Sequence, residues 1–437
     1  MRYPLGMRSR PISLASAVLF LAVIPGFLAR AQNQPGETFR QFIRGNDKFG
    51  VRLLQQVHSD DSDKNVVVAP LSLTILLSAI QTSSWRDETM EELGQVFGWG
   101  PSPDLGVPSR MILAAMDQPK VTKAPQSTQN KASKPPMPAE SFWIANRLLY
   151  RSPKDKPPLL DPRFVESASR NFGLQLVNTA DKNPAESDLH RSRDQVGDIP
   201  QVSSQDQVWL SSGMHLKQTW EYLFMMSEPQ AGEFHPESGQ TRMVQKLESG
   251  LEKLQHTKTD EFEAVILPCG RVSMVVVLPK PGMKIRELEQ ILVANPDALN
   301  GMQASLGSVT FTIFEIKTSM QLEGSLKVMG ISDIFQHLDG VTRMEQFRNP
   351  NDFSQGMIEA AQSRVTDIGQ TIDFAADKHG IRADAETLIG AVPGGIIVSP
   401  DAFHMLLNRP FLFFVRENTT GALLFAGALM DPGAASH

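Results

Sequence analysis

The chain has 437 residues, of which 41% are hydrophobic and 21% charged, and its formal net charge is −6. These values are ordinary for a soluble globular protein, and the length fits one large mixed domain as well as two or three average domains. The acidic balance argues against a nucleic-acid-binding protein, which needs a basic surface. The single cysteine, Cys269, excludes an intrachain disulfide bond and a multi-cysteine metal site, and we expect a buried apolar residue there.

The N-terminus has the pattern of a secretory signal peptide. Three arginines precede an apolar run over residues 12–28, which ends in the small-x-small sequence Ala29-Arg30-Ala31. We therefore expect residues 1–31 to be removed and residues 32–437 to form one mature domain. The alternative is a retained membrane anchor, but the run is short and contains Pro25. The mature protein is then expected to be secreted, or periplasmic in a bacterium, without membrane contact.

Helical patterns come first along the chain. Residues 37–58 have apolar positions at helical spacing, and residues 89–97 form a second amphipathic segment. Residues 65–79 are almost continuously apolar, and Pro70 is placed to open a buried helix. Residues 118–140 are rich in proline, lysine, serine and glutamine, which predicts a solvated insertion loop. Its lysines are a candidate contact for a polyanion, although a plain linker is the favoured interpretation.

Strand signals dominate the second half. The apolar or alternating runs are residues 263–267, 272–278, 308–315, 366–375, 411–415 and 423–429. Pro268-Cys269-Gly270 separates the first two runs, which predicts a hairpin with its turn at those residues, while residues 322–329 return to a helical period. Helices followed by strands indicate an α+β fold rather than an alternating α/β fold.

Motifs for catalysis are absent from the sequence. There is no Gly-x-Ser-x-Gly nucleophile elbow and no His-Glu-x-x-His zinc pair, and the nine histidines are scattered. Asp61-Ser62-Asp63 starts like a calcium loop, but Val66 stands where that loop needs glycine. We therefore expect no enzymatic activity, no metal and no cofactor.

Two segments carry a resemblance to a known family. Residues 408–416, Asn-Arg-Pro-Phe-Leu-Phe-Phe-Val-Arg, and the turn and strand residues that follow them to Pro432 resemble the C-terminal signature of the serpins. Residues 65–72 are similar to the family's Asn-x-x-x-Ser-Pro-x-Ser. Weaker matches fill the interval: Ala145-Asn146, Leu216-Lys217 with Trp220, Leu267-Pro268, Met329-Gly330-Ile331 with Phe335, and Asp352-Phe353-Ser354. The resemblance covers residues 37–432, and the chain is identified as a member of the serpin superfamily.

The resemblance implies one α+β domain with three β-sheets, eight to nine helices and an exposed reactive loop within residues 376–404. It implies that a target serine protease cleaves this loop, and that the freed loop enters the large sheet as a new middle strand and distorts the bound protease. The native state is then metastable and held kinetically. We expect a monomeric extracellular serine protease inhibitor that acts as a suicide substrate. The alternative is a non-inhibitory serpin acting as a binding, carrier or chaperone protein.

Family spacing locates the hinge of the loop. The resemblance assigns it to Gly380, Ile381, Ala383, Ala385 and Thr387. Inhibitory relatives usually have threonine, glutamate and an alanine run here, so Ile381 and the charged Arg382, Asp384 and Glu386 depart from the pattern. Residues of an added strand point alternately to opposite faces, and this alternation keeps the charged residues on one side and small or apolar ones on the other. Because no charge need be buried, the hinge is compatible with insertion.

The same spacing puts the reactive bond at Gly394-Gly395, with Ala391 or Val392 as alternatives if the loop is out of register. A small residue at this bond suits elastase-like or subtilisin-like proteases with shallow pockets. It does not suit trypsin-like enzymes, whose pocket aspartate requires arginine or lysine.

Two regions that control sheet opening in the family differ here. The resemblance assigns the sheet-opening region to Asn65, Ala69, Ser72, Ser212 and Gln370, with Ala69, Ser212 and Gln370 replacing a buried serine, asparagine and histidine. At the top of the sheet lies Trp220, and Lys378 and Ile313 stand where relatives have glutamate and lysine. These changes keep the non-inhibitory alternative open. Asn418-Thr419-Thr420 is a glycosylation sequon in a eukaryotic secretory pathway.

Overall fold

A computed structural model describes residues 36–60, 62–100, 104–116, 140–151, 160–179, 207–224, 227–342, 364–383 and 402–433. The expected signal peptide, all of the predicted insertion except Glu140, and the reactive bond with its alternatives lie outside these residues. The described residues form seven α-helices, one 3-10 helix and eighteen β-strands. None of these helices is both long enough and apolar enough to cross a membrane.

The structure confirms the four predicted helical segments and contains three further helices, at residues 106–116, 162–172 and 285–294, that were not predicted. In chain order the helices are α1 (Glu37–Asp60), α2 (Pro70–Ser83), α3 (Asp87–Phe97), α4 (Gly106–Met116), α5 (Pro162–Phe172), α6 (Ile285–Ala294) and α7 (Glu323–Met329), with the 3-10 turn at Asp333–Phe335. Pro70 opens α2, as predicted, and nearly every residue of this helix is buried. Gly98 ends α3 in the left-handed conformation, with φ of 71°.

The larger sheet has ten strands. They are β1 (Val66–Val68), β7 (Gln230–Phe234), β8 (Arg242–Glu248), β9 (Glu252–Lys258), β10 (Phe262–Cys269), β11 (Val272–Pro279), β12 (Gln303–Thr312), β16 (Phe403–Leu406), β17 (Phe411–Glu417) and β18 (Leu423–Leu429). The first part of β12 pairs with β9 and its last part with β8. This double pairing joins what would otherwise be two sheets, so the described strands form two hydrogen-bonded sheets rather than the three that the resemblance implied.

The predicted hairpin exists, but its predicted turn is wrong. Pro268 pairs with Ser273 and Cys269 with Val272, so both belong to β10 and the turn lies at Gly270 and Arg271. The proline is tolerated because β9 pairs with β10 only over residues 263–265, which leaves the end of β10 without a strand on that side among the described residues.

The second sheet has eight strands and contains the hinge. They are β2 (Ser141–Ile144), β3 (Arg147–Tyr150), β4 (Gln175–Asn178), β5 (Gln207–Ser212), β6 (Met214–Thr219), β13 (Phe314–Gln321), β14 (Arg364–Asp377) and β15 (Gly380–Ala383). Helices and mainly antiparallel sheets confirm the α+β class. The segment expected as the reactive loop, residues 376–404, contains all of β15 and the first two residues of β16.

Aromatic side chains of the C-terminal signature fill the space between the sheets. Phe374 of β14 stacks on Phe413 of β17 with ring centroids 4.9 Å apart, and lies 5.6 Å from Phe425 of β18. A Cβ atom on Gly427 would stand 2.2 Å from the Phe413 ring, so only glycine leaves room for it. The signature therefore fixes how the C-terminal hairpin packs against the sheet that contains the hinge.

Candidate functional site

One edge of β14 has two different strand partners. Its N-terminal half, called here the lower part, pairs directly with β5 in parallel, from Arg364 opposite Gln207 to Gln370 opposite Ser212. At its upper end β15 lies between β14 and β6 and is antiparallel to both. The sheet is therefore closed below, while the first residues of the hinge already occupy the middle position above.

Between these two parts is a stretch in which two strand edges that face each other have no pairing among the described residues, although β2 pairs with residues 214 and 215 on their other side. It comprises residues 371–374 of β14 and residues 213–215 at the junction of β5 and β6, between the last β5 pair and the first β15 pair. Among the described residues, no strand pairs with 371–374 on this side, although β13 pairs with them on the other. This is the place that a longer β15 would occupy first.

The side chains of β15 alternate between the two faces of the sheet. Ile381 is fully buried, whereas Arg382 points away from the core and binds Asp377, with Nη1 3.2 Å from Oδ2. Gly380 opens the strand, and the backbone of Ala383 pairs with Leu216. The remaining predicted hinge residues, Ala385 and Thr387, lie outside the described residues.

A tight turn connects β14 to β15. The Asp377 Oδ1 atom accepts a hydrogen bond from the His379 backbone N–H at 2.7 Å. Gly380 has φ of 147°, and a Cβ atom on it would stand 1.9 Å from the Gln218 carbonyl oxygen. Glycine is therefore required where β15 enters beside β6. Our sequence analysis missed this strand, although aspartate at the first and glycine at the fourth position is a β-turn signal.

Four of the five predicted sheet-opening residues meet in one buried hydrogen-bond network. The Gln370 side chain accepts from the Ala69 N–H at 2.9 Å and donates to the Ala69 carbonyl at 3.1 Å. Ser212 Oγ donates to Ser72 Oγ at 2.7 Å, and Ser72 Oγ donates to the Ala69 carbonyl at 3.0 Å. The network links the start of α2 to the last pair of the closed part of the sheet. It also includes Asn146, whose Nδ2 donates to the Ser72 carbonyl at 2.6 Å and which we had not assigned to this region.

Asn65 lies apart from this network. Its Nδ2 donates to the Asp431 carbonyl at 2.6 Å, and its Oδ1 accepts from the N–H groups of Met430 and Asp431. The physical reason is its position directly before β1, which pairs with β18, so that the asparagine faces the end of that strand. The structure places it in the C-terminal contact rather than in the sheet-opening region.

The top of the sheet is closed by aromatic packing. Trp220 is 2% exposed, packs edge-on against Phe224 and Phe311, and donates from Nε1 to the Asp377 carbonyl at 2.6 Å. Lys378 lies 3.9 Å from Glu228, and Ile313 is partly buried against the core. Trp220 therefore holds the turn that precedes β15.

A buried histidine lies beside the unpaired stretch. His215 of β6 is 7% exposed, stacks on Trp143 with ring centroids 3.7 Å apart, and shares a 2.7 Å hydrogen bond with Ser141 Oγ. Burial, and then the charge of Lys217, lower the pKa of His215 to about 4. The ring is therefore neutral at physiological pH.

Comparison with known proteins identifies the family. The family model described as serpin (serine protease inhibitor) matches residues 44–432. The chain belongs to the serpin family. Serpin A12 of Mus musculus is 22% identical, over 90% of this chain and 89% of the relative. Ovalbumin of Gallus gallus is 21% identical, over 88% of this chain and 98% of the relative.

Solved structures of low sequence identity share the serpin fold. Serpin48 of the insect Tenebrio molitor has a TM-score of 0.65 at 18% identity, covering 90% of this chain and 98% of its own. Human thyroxine-binding globulin has a TM-score of 0.67 at 15% identity, covering 91% of this chain and 100% of its own. Serpins include protease inhibitors and non-inhibitory carriers, in and outside cells, and they are not catalytic enzymes.

We predict that Gln370→Leu lowers stability, because it leaves the buried N–H and carbonyl of Ala69 without their hydrogen-bond partner. The expected loss is about 1–3 kcal/mol of unfolding free energy, seen as a lower melting temperature. Gln321→Leu, at an exposed glutamine of β13, is the matched control and should change little. Equal effects of the two substitutions would contradict the role of the Gln370 network.

We predict that His215 makes stability fall on acidification. Its pKa in the folded protein, about 4, lies below the ordinary histidine pKa of 6.5, so stability present above pH 6.5 is lost as the pH falls through this window toward 4. His215→Gln cannot ionise and can still bond Ser141, so it should lose up to about 3 kcal/mol less between these limits. Melting temperatures at both ends of the window test this. His404→Gln, at an exposed histidine, is the control, and identical pH slopes for His215→Gln and wild type would refute the prediction.

Proposed function

We propose that this serpin is an extracellular serine protease inhibitor that acts as a suicide substrate through cleavage of its reactive loop and insertion of that loop into the eight-stranded sheet. The observation that carries the proposal is the position of β15 between β14 and β6, with the unpaired stretch directly below it. The hinge thus starts in the strand position, between β14 and β6, that the whole inserted loop would occupy.

Insertion would proceed downward from β15. Each added residue would find backbone groups on both sides, first at residues 371–374 and 213–215. Below that point β14 and β5 must separate, which breaks the Gln370–Ser212 pair and its side-chain network. Completing the sheet replaces these contacts by pairing on both edges of the new strand, which is the source of free energy for the trap.

The side chains of the loop suit this path. If β15 continues in its present register, Ala385 falls beside Ile372 and Thr387 beside Gln370, both of which are buried. Asp384 and Glu386 then follow Arg382 on the outward face, where charges stay hydrated. No charged side chain of the hinge needs to enter the core.

The inserted strand would act on the protease mechanically. The protease serine attacks the carbonyl of the residue before the cut bond, for which we propose Gly394, and the new amino group leaves with Gly395. The acyl-enzyme ester then ties the protease to the moving end of the loop. A small residue at this bond supports an elastase-like or subtilisin-like target.

A non-inhibitory function is the second candidate. Two observations favour it: Lys378 and Ile313 do not form a charged pair at the top of the sheet, and the Gln370 network locks its closed part. Human thyroxine-binding globulin, a serpin solved in complex with thyroxine, has the same fold.

Heat separates the two functions. An inhibitor whose cleaved loop inserts should melt at a markedly higher temperature after cleavage, because the completed sheet adds pairing along two strand edges. A carrier with an inert loop should melt at the same temperature before and after. Differential scanning calorimetry of the intact and cleaved mature protein measures this.

We predict that the mature protein forms a covalent complex with an elastase or a subtilisin, seen on a denaturing gel as a band of summed mass. Thr387→Arg should abolish the band and give clean cleavage, since an inward arginine would cost several kcal/mol on insertion. Glu386→Arg is the matched control on the outward face and should keep the band. Cleavage of the wild type without any covalent complex would reject the proposed inhibition.

A further inference from the structure

One carboxylate contacts both the short strand β15 and the turn that precedes it. Asp377 Oδ1 accepts from the His379 N–H at 2.7 Å, which shapes the turn, and Oδ2 binds the Arg382 guanidinium at 3.2 Å. The side chains of Arg382 and Asp377 are 17% and 16% exposed, so the ion pair is shielded from solvent and worth more than a surface pair. The same residue thus fixes both the turn before β15 and the first outward side chain on it.

The charge of Lys217 opposes the pairing of β15 with β6. Lys217 of β6 is directly opposite Arg382 in the β6–β15 register, and like charges at opposite positions destabilise strand pairing. The fit at the entry is also narrow, because Gly380 contacts the backbone of Gln218 without room for a side chain. The position of β15 therefore depends on two opposing effects. The Asp377–Arg382 ion pair favours it, and the repulsion between Lys217 and Arg382 opposes it.

We propose that Asp377 and Arg382 form a latch that keeps the first residues of the reactive loop in the sheet of the uncleaved chain, and that Lys217 opposes it. The uncleaved protein then has two states, hinge in and hinge out, and the two residues shift the equilibrium in opposite directions. Asp377 and Arg382 are positioning residues: they act through β15 and not on a bound protease.

The latch sets how much loop is offered to a protease. With the hinge in, residues 380–383 belong to the sheet, and release of β15 adds these four residues to the free loop. A longer free loop is less restricted at its two ends and can therefore reach the extended form that a protease binds. This consequence rests on the proposed inhibitory function, while the existence of the latch does not.

Hydrogen–deuterium exchange of the full mature chain tests the latch directly. The readout is the peptide that contains residues 380–383, whose amides pair with β14 and β6 when the hinge is in. Asp377→Asn keeps the acceptor for His379 but removes the charge, so exchange of this peptide should rise about five- to tenfold, as expected for loss of a partly buried ion pair. Lys217→Gln should slow exchange of the same peptide.

Two further variants complete the test. Asp431→Asn is the matched control, because Asp431 also binds an arginine, Arg242 at 3.0 Å, and accepts from a backbone N–H two residues on, but lies remote from the hinge. Gly380→Ala should expel β15 completely, since its Cβ would overlap the Gln218 carbonyl. Circular dichroism establishes that each variant is folded, and Arg382→Gln replaces any variant that is not.

The outcomes separate the latch from the proposed function. Faster exchange in Asp377→Asn together with faster covalent complex formation supports both. Faster exchange without any covalent complex leaves the latch standing and rejects inhibition. Unprotected amides at residues 380–383 in the wild type, or equal exchange in Asp377→Asn and Asp431→Asn, would overturn the latch whatever the gel shows.

Discussion

The structure depends on which strands form backbone hydrogen bonds with one edge of β14. Backbone N–H and carbonyl groups inside a sheet must be paired, and an unpaired strand edge is costly to bury. Here β5 covers the lower part of that edge and β15 its upper end, so neither strand alone completes the sheet. Every feature that we assign to function lies on or next to the boundary between these two partners.

Gln370 lies at that boundary and behaves like a peptide group. Its side-chain amide accepts from the N–H of Ala69 and donates to the carbonyl of the same residue, as a neighbouring strand would do. Family resemblance assigns a histidine to this position, and the donor and acceptor nitrogens of a neutral imidazole point in divergent directions instead of side by side like the oxygen and nitrogen of an amide. The joint change to Ala69, Ser212 and Gln370 therefore keeps the Ala69 N–H, the Ala69 carbonyl and the Ser212 hydroxyl paired in a different arrangement.

The sequence predicted the elements that depend on local patterns. The C-terminal hairpin, the buried helix α2 and the opposite faces of Ile381 and Arg382 were predicted, because each depends on a hydrophobic pattern within a short stretch of sequence. Three features of the sheets and the site were not predicted correctly from the sequence. The turn after β10 was misplaced because Pro268 is tolerated only where one strand edge is uncovered, and β15 was missed because its partner β6 lies far away in sequence. Asn65 was misassigned for the same reason, since its contacts come from the pairing of β1 with β18.

That last pairing has a consequence for how the molecule is made. Asn65 and Asp431, which are hydrogen-bonded to each other, are 366 positions apart, so β1 and β18 of the larger sheet meet only after residues up to Asp431 are present. Until then β1 has no neighbour on its β18 side, and much of the apolar surface that the C-terminal hairpin covers stays open to water. Contacts this distant form slowly and leave growing chains prone to aggregation. A nascent chain is therefore exposed to aggregation until residues 411–429 have been synthesised, and the larger sheet is completed only after that point.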